Sequence, residues 1–381
     1  MIALAFAAIN LAKYLSFAEQ ATQKVGLAAG SWSKQYGDAQ NTCRGLGSGA
    51  TGTIKYVVPL DKVSYRGILS PDGVYFAGSH VGNLVAIDAR TGAQKGQVHR
   101  ASSLPSAGAL GANGLVYLQS GTSSTTGELF AIDANTGVDR WTYPTNSLFD
   151  SPPTIGKDGT VYVMSFTNEL FALNGENGQL KWRIKAPWSK CCMAIGPDGS
   201  IYAGGNFEVV NCFHPRTGAL KWSKNFQYCS MSAPAVGDDG TVFIRTEHFL
   251  VALDGATGDI KWKFDCMNPK EPPAIGYDGN VYFGTQDGKI YGLNGKTGAQ
   301  LWKIDPGFGT SFNDAGAIDP KGILYLISRT SVEGKVYAVD TVTGKVLWTV
   351  SPKGGAAWGP ILGPDGTLYV ITGGSDLAAI H

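Results

Sequence analysis

Charge is scarce in this chain. Only 16% of its 381 residues are charged, and 31 Lys+Arg against 30 Asp+Glu leave a formal charge of +1. Nucleic acid and anionic membrane surfaces call for an excess of Lys/Arg, so the balance argues against both. Cysteine is sparse too. Cys43, Cys191, Cys192, Cys212, Cys229 and Cys266 are too few for a disulfide-scaffolded mini-protein. They form no Cys-x-x-Cys pair, haem-attachment sequence or Cys/His zinc spacing. The five histidines are scattered, which disfavours a histidine-based metal site or proton relay. No Walker A sequence, Gly-x-Ser-x-Gly elbow or Asn-x-Ser/Thr sequon occurs. The stretch GSGATG (47–52) fits Gly-x-Gly-x-x-Gly, but no strand pattern precedes it and no helix pattern follows. It reads as a flexible lead-in.

Long apolar runs are also missing. Residues 1–12 are uncharged and mostly apolar, but Lys13 ends the run well short of the ~20 residues that span a bilayer. The run has the length of a signal-peptide core, and Ser16-Phe17-Ala18 is an acceptable small-x-small cleavage site. No basic residue precedes it, so an amphipathic starter helix stays open. The expectation is a signal peptide over 1–18 and a secreted, periplasmic or otherwise extracytoplasmic protein.

Glycine is abundant at 52 residues, and hydrophobic residues reach 43%. That is ample for a large core broken by many tight turns. A repeat explains the turns. AIDANTGVDRW (131–141) recurs as ALNGENGQLKW (172–182), CFHPRTGALKW (212–222), ALDGATGDIKW (252–262), GLNGKTGAQLW (292–302) and AVDTVTGKVLW (338–348). A degenerate first copy, AIDARTGAQKG (86–96), lacks the tryptophan. The turn glycines Gly92, Gly137, Gly178, Gly218, Gly258, Gly298 and Gly344 lie 40 to 46 residues apart. Short Val/Ile/Tyr/Phe runs bounded by Asp-Gly, as in DGTVYVMS (158–165), read as antiparallel hairpins. PPTIG (152–156), TVYVMSF (160–166), ELFALNG (169–175) and QLKWRIK (179–185) are four strands in one unit. Four strands per ~40 residues is the signature of a β-propeller blade.

The third-strand motif occurs eight times, the last at Leu377, where the chain ends with no fourth strand. GTIKYVVPL (52–60), with Tyr56 at the tryptophan position, supplies that strand from the other end. The expectation is therefore an all-β, eight-bladed propeller over 53–381, closed by an N-terminal strand. A lead-in over 19–52 is expected to pack on the last blade. Six of the nine tryptophans occupy the repeat position and read as inter-blade packing. Cys212 replaces a small third-strand residue and reads as core.

Aligning the blades places Tyr65, Ser106, Ser151, Cys191, Ser232, Glu271, Asp314 and Trp358 at the starts of the innermost strands. They form a ring at one mouth of the central channel. The two clearest loop insertions, Ser120–Gly127 and Arg329–Gly334, lie on the same face, where propellers usually bind ligands. Glu271, Asn313 and Asp314 offer two carboxylates and an amide oxygen, a possible Ca²⁺ set; a solvated polar rim is the plainer reading. Lys190 and Arg66 are the basic residues beside the ring. Cys229 and Cys266 precede the next two inner strands, which leaves a disulfide to Cys192 open.

The pattern [AC]-x-[DN]-x-x-[TN]-G-x-x-x-W, following a Gly-x-[VI]-Y strand, resembles the pyrroloquinoline-quinone (PQQ) repeat. The resemblance runs from about residue 53 to 381, and WSKQYGDAQNTCRG (32–45) is similar to the lead-in of such propellers. It implies one of two functions. Non-catalytic members, such as the outer-membrane-assembly type, use the propeller as a scaffold. Quinoprotein dehydrogenases bind PQQ and Ca²⁺ at the channel mouth, with a vicinal cysteine pair against the quinone. In that case Cys191-Cys192 and the Trp358 face would flank PQQ, and Glu271, Asn313 and Asp314 would hold Ca²⁺. The chain is closer in size to the scaffold members. The expectation is a non-catalytic binding propeller for a protein, peptide or glycan, with no cofactor assigned; the alternative is a PQQ- and Ca²⁺-dependent alcohol or sugar dehydrogenase.

Overall fold

A computed structural model describes residues 26–28, 32–60, 66–100, 103–104, 108–123, 126–145, 147, 151–186, 193–204, 209–226, 233–268, 271–307, 310–329 and 334–381. Among these residues there is no helix. The strands form eight antiparallel sheets, each running from an inner strand of a few residues to an exposed outer one. Blade 3 is typical, with Thr154–Ile155, Thr160–Met164, Glu169–Asn174 and Leu180–Lys185 paired in sequence order. Its second strand is buried throughout, whereas its outer strand alternates exposed and half-buried residues. Neighbouring blades cover both faces of the former and leave the latter at the rim. The eight-bladed propeller read from the repeat is the observed fold.

Ring closure follows the expected route. Ile54–Pro59 pairs antiparallel with Asp376–Ile380, Tyr56 facing Ala379. Thr53 and His381 exchange two backbone hydrogen bonds of 2.7 Å. Joining the two ends of the chain removes the open sheet edge of an unfinished blade.

The seams are built by the repeat. Trp141 stands opposite Ala131 in blade 2 and Trp182 opposite Ala172 in blade 3. Each indole lies on the turn glycine of the next blade. A Cβ on Gly178 would approach the Trp141 ring to 2.7 Å, and its φ of +72° is a conformation that favours glycine. Cys212 is fully buried opposite Trp222, and burial pushes its thiol up to about 11.

The lead-in departs from expectation. Residues 45–52 do pack on the last blade: Gly45 lies against Leu362, Gly47 and Ser48 against Gly363 and Gly366, and Gly52 against the Trp348 ring, whose indole donates to the Ala50 carbonyl. GSGATG thus supplies a turn that the last blade lacks. The preceding stretch crosses the channel. Carbonyls of Trp32, Ser33, Ala39, Gln40, Thr42 and Cys43 accept from the amides of Leu69, Leu110, Ile195, Val236, Ile275 and Ile318. Those amides belong to the inner strands of blades 1, 2, 4, 5, 6 and 7, at their C-terminal ends. Trp32, Lys34, Asn41 and Cys43 are all buried. The Lys34 ammonium donates to Asn41 Oδ1 at 2.5 Å and to the Met193 carbonyl at 3.0 Å. The lead-in is a plug.

The hairpin aspartates carry an acid sensitivity. In Asp158, Asp198, Asp239 and Asp365 burial alone would raise the carboxyl. The hydroxyl and amide two residues on, together with Lys181, Lys221, Lys261 and Lys55, outweigh it and hold each carboxyl below the usual range. The unfolded chain therefore takes up these protons first as pH falls. Their contribution is complete above the ordinary carboxylate value of about 3.9 and is lost below it. The urea midpoint is expected to hold between pH 7 and 5 and to drop by pH 3. Replacing Thr160, Thr241 and Thr367 with Val should shrink that drop, and an unchanged drop would remove these turns as its source.

Candidate functional site

With one end of the channel plugged, the other mouth lies at the N-terminal ends of the inner strands. Two local irregularities aim side chains into it. Blade 7 opens with two short segments, Ser311–Phe312 and Ala317–Ile318, both paired with Ile323–Arg329. Asp314 sits in the break between them. In blade 8 the pairing of Ala356–Leu362 shifts register on both sides of Trp358. Such bulges redirect side chains that a regular ladder would point elsewhere.

Of the ring read from sequence, Ser151, Glu271, Asp314 and Trp358 fall among the described residues, as does the neighbouring Asn313. Tyr65, Ser106, Lys190, Cys191, Cys192 and Ser232 lie outside them, as does Cys229. Cys266 is a buried free thiol, pushed up to about 12 by burial. Ser151 is fully buried, and its hydroxyl meets no partner among the described residues.

Asp314 and Arg66 form an ion pair with both side chains 4% exposed. The second Asp314 oxygen accepts the Gly359 amide at 3.0 Å, and Arg66 also donates to the Ala315 carbonyl at 3.3 Å. The guanidinium lies over the Tyr36 ring, 5.3 Å from its centroid. Tyr36 comes from the plug and donates its hydroxyl to Glu271 Oε2 at 2.7 Å. Across the mouth, Arg329 covers a face of Trp358 at 4.1 Å and donates to the Ala357 carbonyl. Burial, and then the nearby Arg66 charge, lower the Arg329 pKa, with Glu271 opposing. Blades 1, 6, 7 and 8 and the plug thus meet in one network.

This arrangement does not fit the Ca²⁺ set. A guanidinium occupies the place beside Asp314 where a cation would bind, and both Asp314 oxygens are engaged. Two like charges cannot share that position without a large repulsion. The flat stacking face expected of Trp358 is covered on one side by Arg329. Two residues escaped the sequence reading. Arg329 opens the insertion noted above, and Tyr36 lies in the lead-in, where nothing in the pattern pointed to the channel.

Comparison with known proteins agrees with the repeat. The family model described as "Outer membrane protein assembly factor BamB" matches residues 60–143, 80–207, 206–313 and 332–381. BamB of Yersinia pestis is 24% identical over 176 residues, covering 42% of this chain and 44% of that protein. The dehydrogenase subunit of the quinone alcohol dehydrogenase of Gluconacetobacter polyoxogenes is 32% identical over 79 residues, 18% of this chain and 11% of the subunit. The chain thus spans under half the length of these curated relatives. Among solved structures, BamB from Moraxella catarrhalis superposes with a TM-score of 0.69 at 18% identity, over 86% of this chain and 99% of that one. A europium-containing methanol dehydrogenase reaches 0.69 at 15% identity, over 90% and 89%. At such identities the superpositions speak for the fold alone, while the family match spans most of the propeller. The chain belongs to the outer membrane protein assembly factor BamB family of PQQ-like propellers.

Proposed function

We propose that this protein is a non-catalytic, extracytoplasmic scaffold that binds a protein partner over the channel mouth opposite the plug. The observation that carries the reading is the internal use of the mouth's acidic pair. Asp314 is consumed by Arg66 and Gly359, and Glu271 is held by Tyr36. Carboxylates committed in this way support architecture rather than metal or general-base chemistry. The relatives support the same reading, since BamB is an outer membrane protein assembly factor. Among the described residues no helix is long and apolar enough to cross a membrane.

The quinone dehydrogenase reading rests on the short match to a dehydrogenase subunit. The two readings separate in one pair of measurements. A photo-crosslinking residue at Phe166, exposed on the mouth face, is expected to capture a protein partner. The same residue at Tyr277, exposed on the plugged face, is expected not to. Purified protein with PQQ and Ca²⁺ should show no dye-linked oxidation of alcohols or sugars. Turnover that disappears in Glu271→Gln would overturn the scaffold reading.

A further inference from the structure

Seven of the eight seams between blades are filled by the same device. Trp141, Trp182, Trp222, Trp262, Trp302 and Trp348 each lie on a turn glycine of the adjoining element. Each indole N–H donates to a carbonyl beside that glycine, at 2.7–3.1 Å. At the closing seam Tyr56 lies on Gly92 and donates its hydroxyl to the Ala89 carbonyl at 2.6 Å.

The seam between blades 1 and 2 breaks the series. The residue facing Ala86, where the other blades carry the aromatic ring, is Gly96. A Cβ built on Gly96 meets nothing within 4 Å. The turn glycine of blade 2, Gly137, faces the Val98 side chain and no ring. The Ala134 carbonyl, equivalent to the Gly175 and Ala89 acceptors, receives no hydrogen bond from the described residues. Phe76 occupies the place from which Tyr117 and Tyr162 pair with Trp141 and Trp182 at 5.8 and 5.9 Å. What remains is a surface slot of about 250 Å³ with apolar walls from Val74, Phe76, Leu84, Ala86, Val98 and Ile132, lined also by polar residues that include Lys95, Asp133 and Thr136. An apolar cavity of ~150 Å³ is enough to hold a benzene ring.

We propose that this slot binds a tryptophan side chain presented by a partner polypeptide. Its indole would lie on Gly137 and donate N–H to the Ala134 carbonyl. The six intramolecular copies define the occupant, because they show which ring these walls and this acceptor accommodate. The route of entry favours a polypeptide. Gly96 lies on the exposed outer strand Gln94–His99, whose outward edge has no neighbouring strand in the sheet. A strand added along that edge places a side chain across from Gly96, and an aromatic facing a strand glycine covers its bare backbone. The slot is at the rim and is independent of the channel mouth, so either reading can fail without the other.

The test uses an uncharged pentapeptide with a central tryptophan, its alanine counterpart and its 1-methyltryptophan counterpart, titrated by calorimetry. The tryptophan peptide is expected to bind with a millimolar or tighter Kd. The alanine peptide should bind at least tenfold more weakly, from the lost apolar burial. The methylated peptide should bind about fivefold more weakly, from the lost hydrogen bond. Gly96→Trp restores the residue carried by six other blades and should abolish binding while raising the Tm. Gly96→Leu, which fills part of the slot, should weaken binding at least tenfold and serves if the first variant fails to fold. Absent binding at millimolar peptide, equal binding of the tryptophan and alanine peptides, or full binding by the filled variants would overturn the proposal.

Discussion

Replacing Asp314 with alanine is expected to destabilise the propeller by about 3–5 kcal/mol, read as a shift in the urea midpoint. The size follows from what is left behind. Arg66 and Asp314 side chains are each only 4% exposed, so removing the carboxylate leaves a buried guanidinium without its counter-charge. One Arg66 nitrogen, Nη1, already lacks a hydrogen-bond partner among the described residues. The Gly359 amide would lose its acceptor in the same step. Asp314→Asn keeps the shape and tests the charge separately. The double variant Arg66→Met/Asp314→Leu is expected to recover most of the loss, because a well-packed apolar pair of similar volume replaces a costly buried ion pair. A loss under about 1 kcal/mol in Asp314→Ala would mean that the pair behaves as a hydrated surface bridge.

Removing residues 1–45 is the second large effect. The cost is expected to be at least about 5 kcal/mol. Burial of the large Trp32 and Tyr36 rings contributes roughly 1.5–3 kcal/mol each, and the buried Cys43 adds less. Six inner-strand amides also lose their acceptors, at about 1 kcal/mol each, reduced where water enters to replace them. The closing strand Ile54–Pro59 is retained, so the ring itself stays complete. Hydrogen exchange localises the effect. The amides of Leu69, Leu110, Ile195, Val236, Ile275 and Ile318 should lose protection first, ahead of those in the second and third strands. Unchanged protection at these six positions would show that the plug does not seal the channel. The truncation also frees Glu271 from Tyr36, so it joins stability to the mouth's electrostatics.

The repeat made much of this molecule readable in one dimension. A period of 40 to 46 residues, a fixed turn glycine and a fixed tryptophan are local signals, each set by the strand next to it. They were enough for the eight blades, the closing strand around Tyr56 and the packing role of the tryptophans. They also marked Asp314 and Glu271 as candidates for the mouth, because the start of an inner strand has one place in a propeller. Their partners were a different matter. Arg66 and Asp314 are 248 positions apart in the chain, and nothing in either neighbourhood encodes the pair. Tyr36 reaches Glu271 across 235 positions from a segment with no periodicity to betray its path. The expectation that the lead-in rests on the last blade describes residues 45–52, whereas the carbonyls of residues 32–43 pair with a ring of amides across the channel.

Gly96 shows the same division in a single residue. The missing tryptophan of the first repeat is visible in the letters. Whether the gap would be closed by a shifted neighbour or left as a slot depended on how two blades approach each other, and Val98 and Phe76 leave it open. Periodic residues therefore settle architecture, because each blade repeats the same short-range hydrogen bonds and the same burial. The plug, the buried ion pair and the open seam arise where segments distant in the chain meet, and there burial and charge are set by neighbours that no local pattern names.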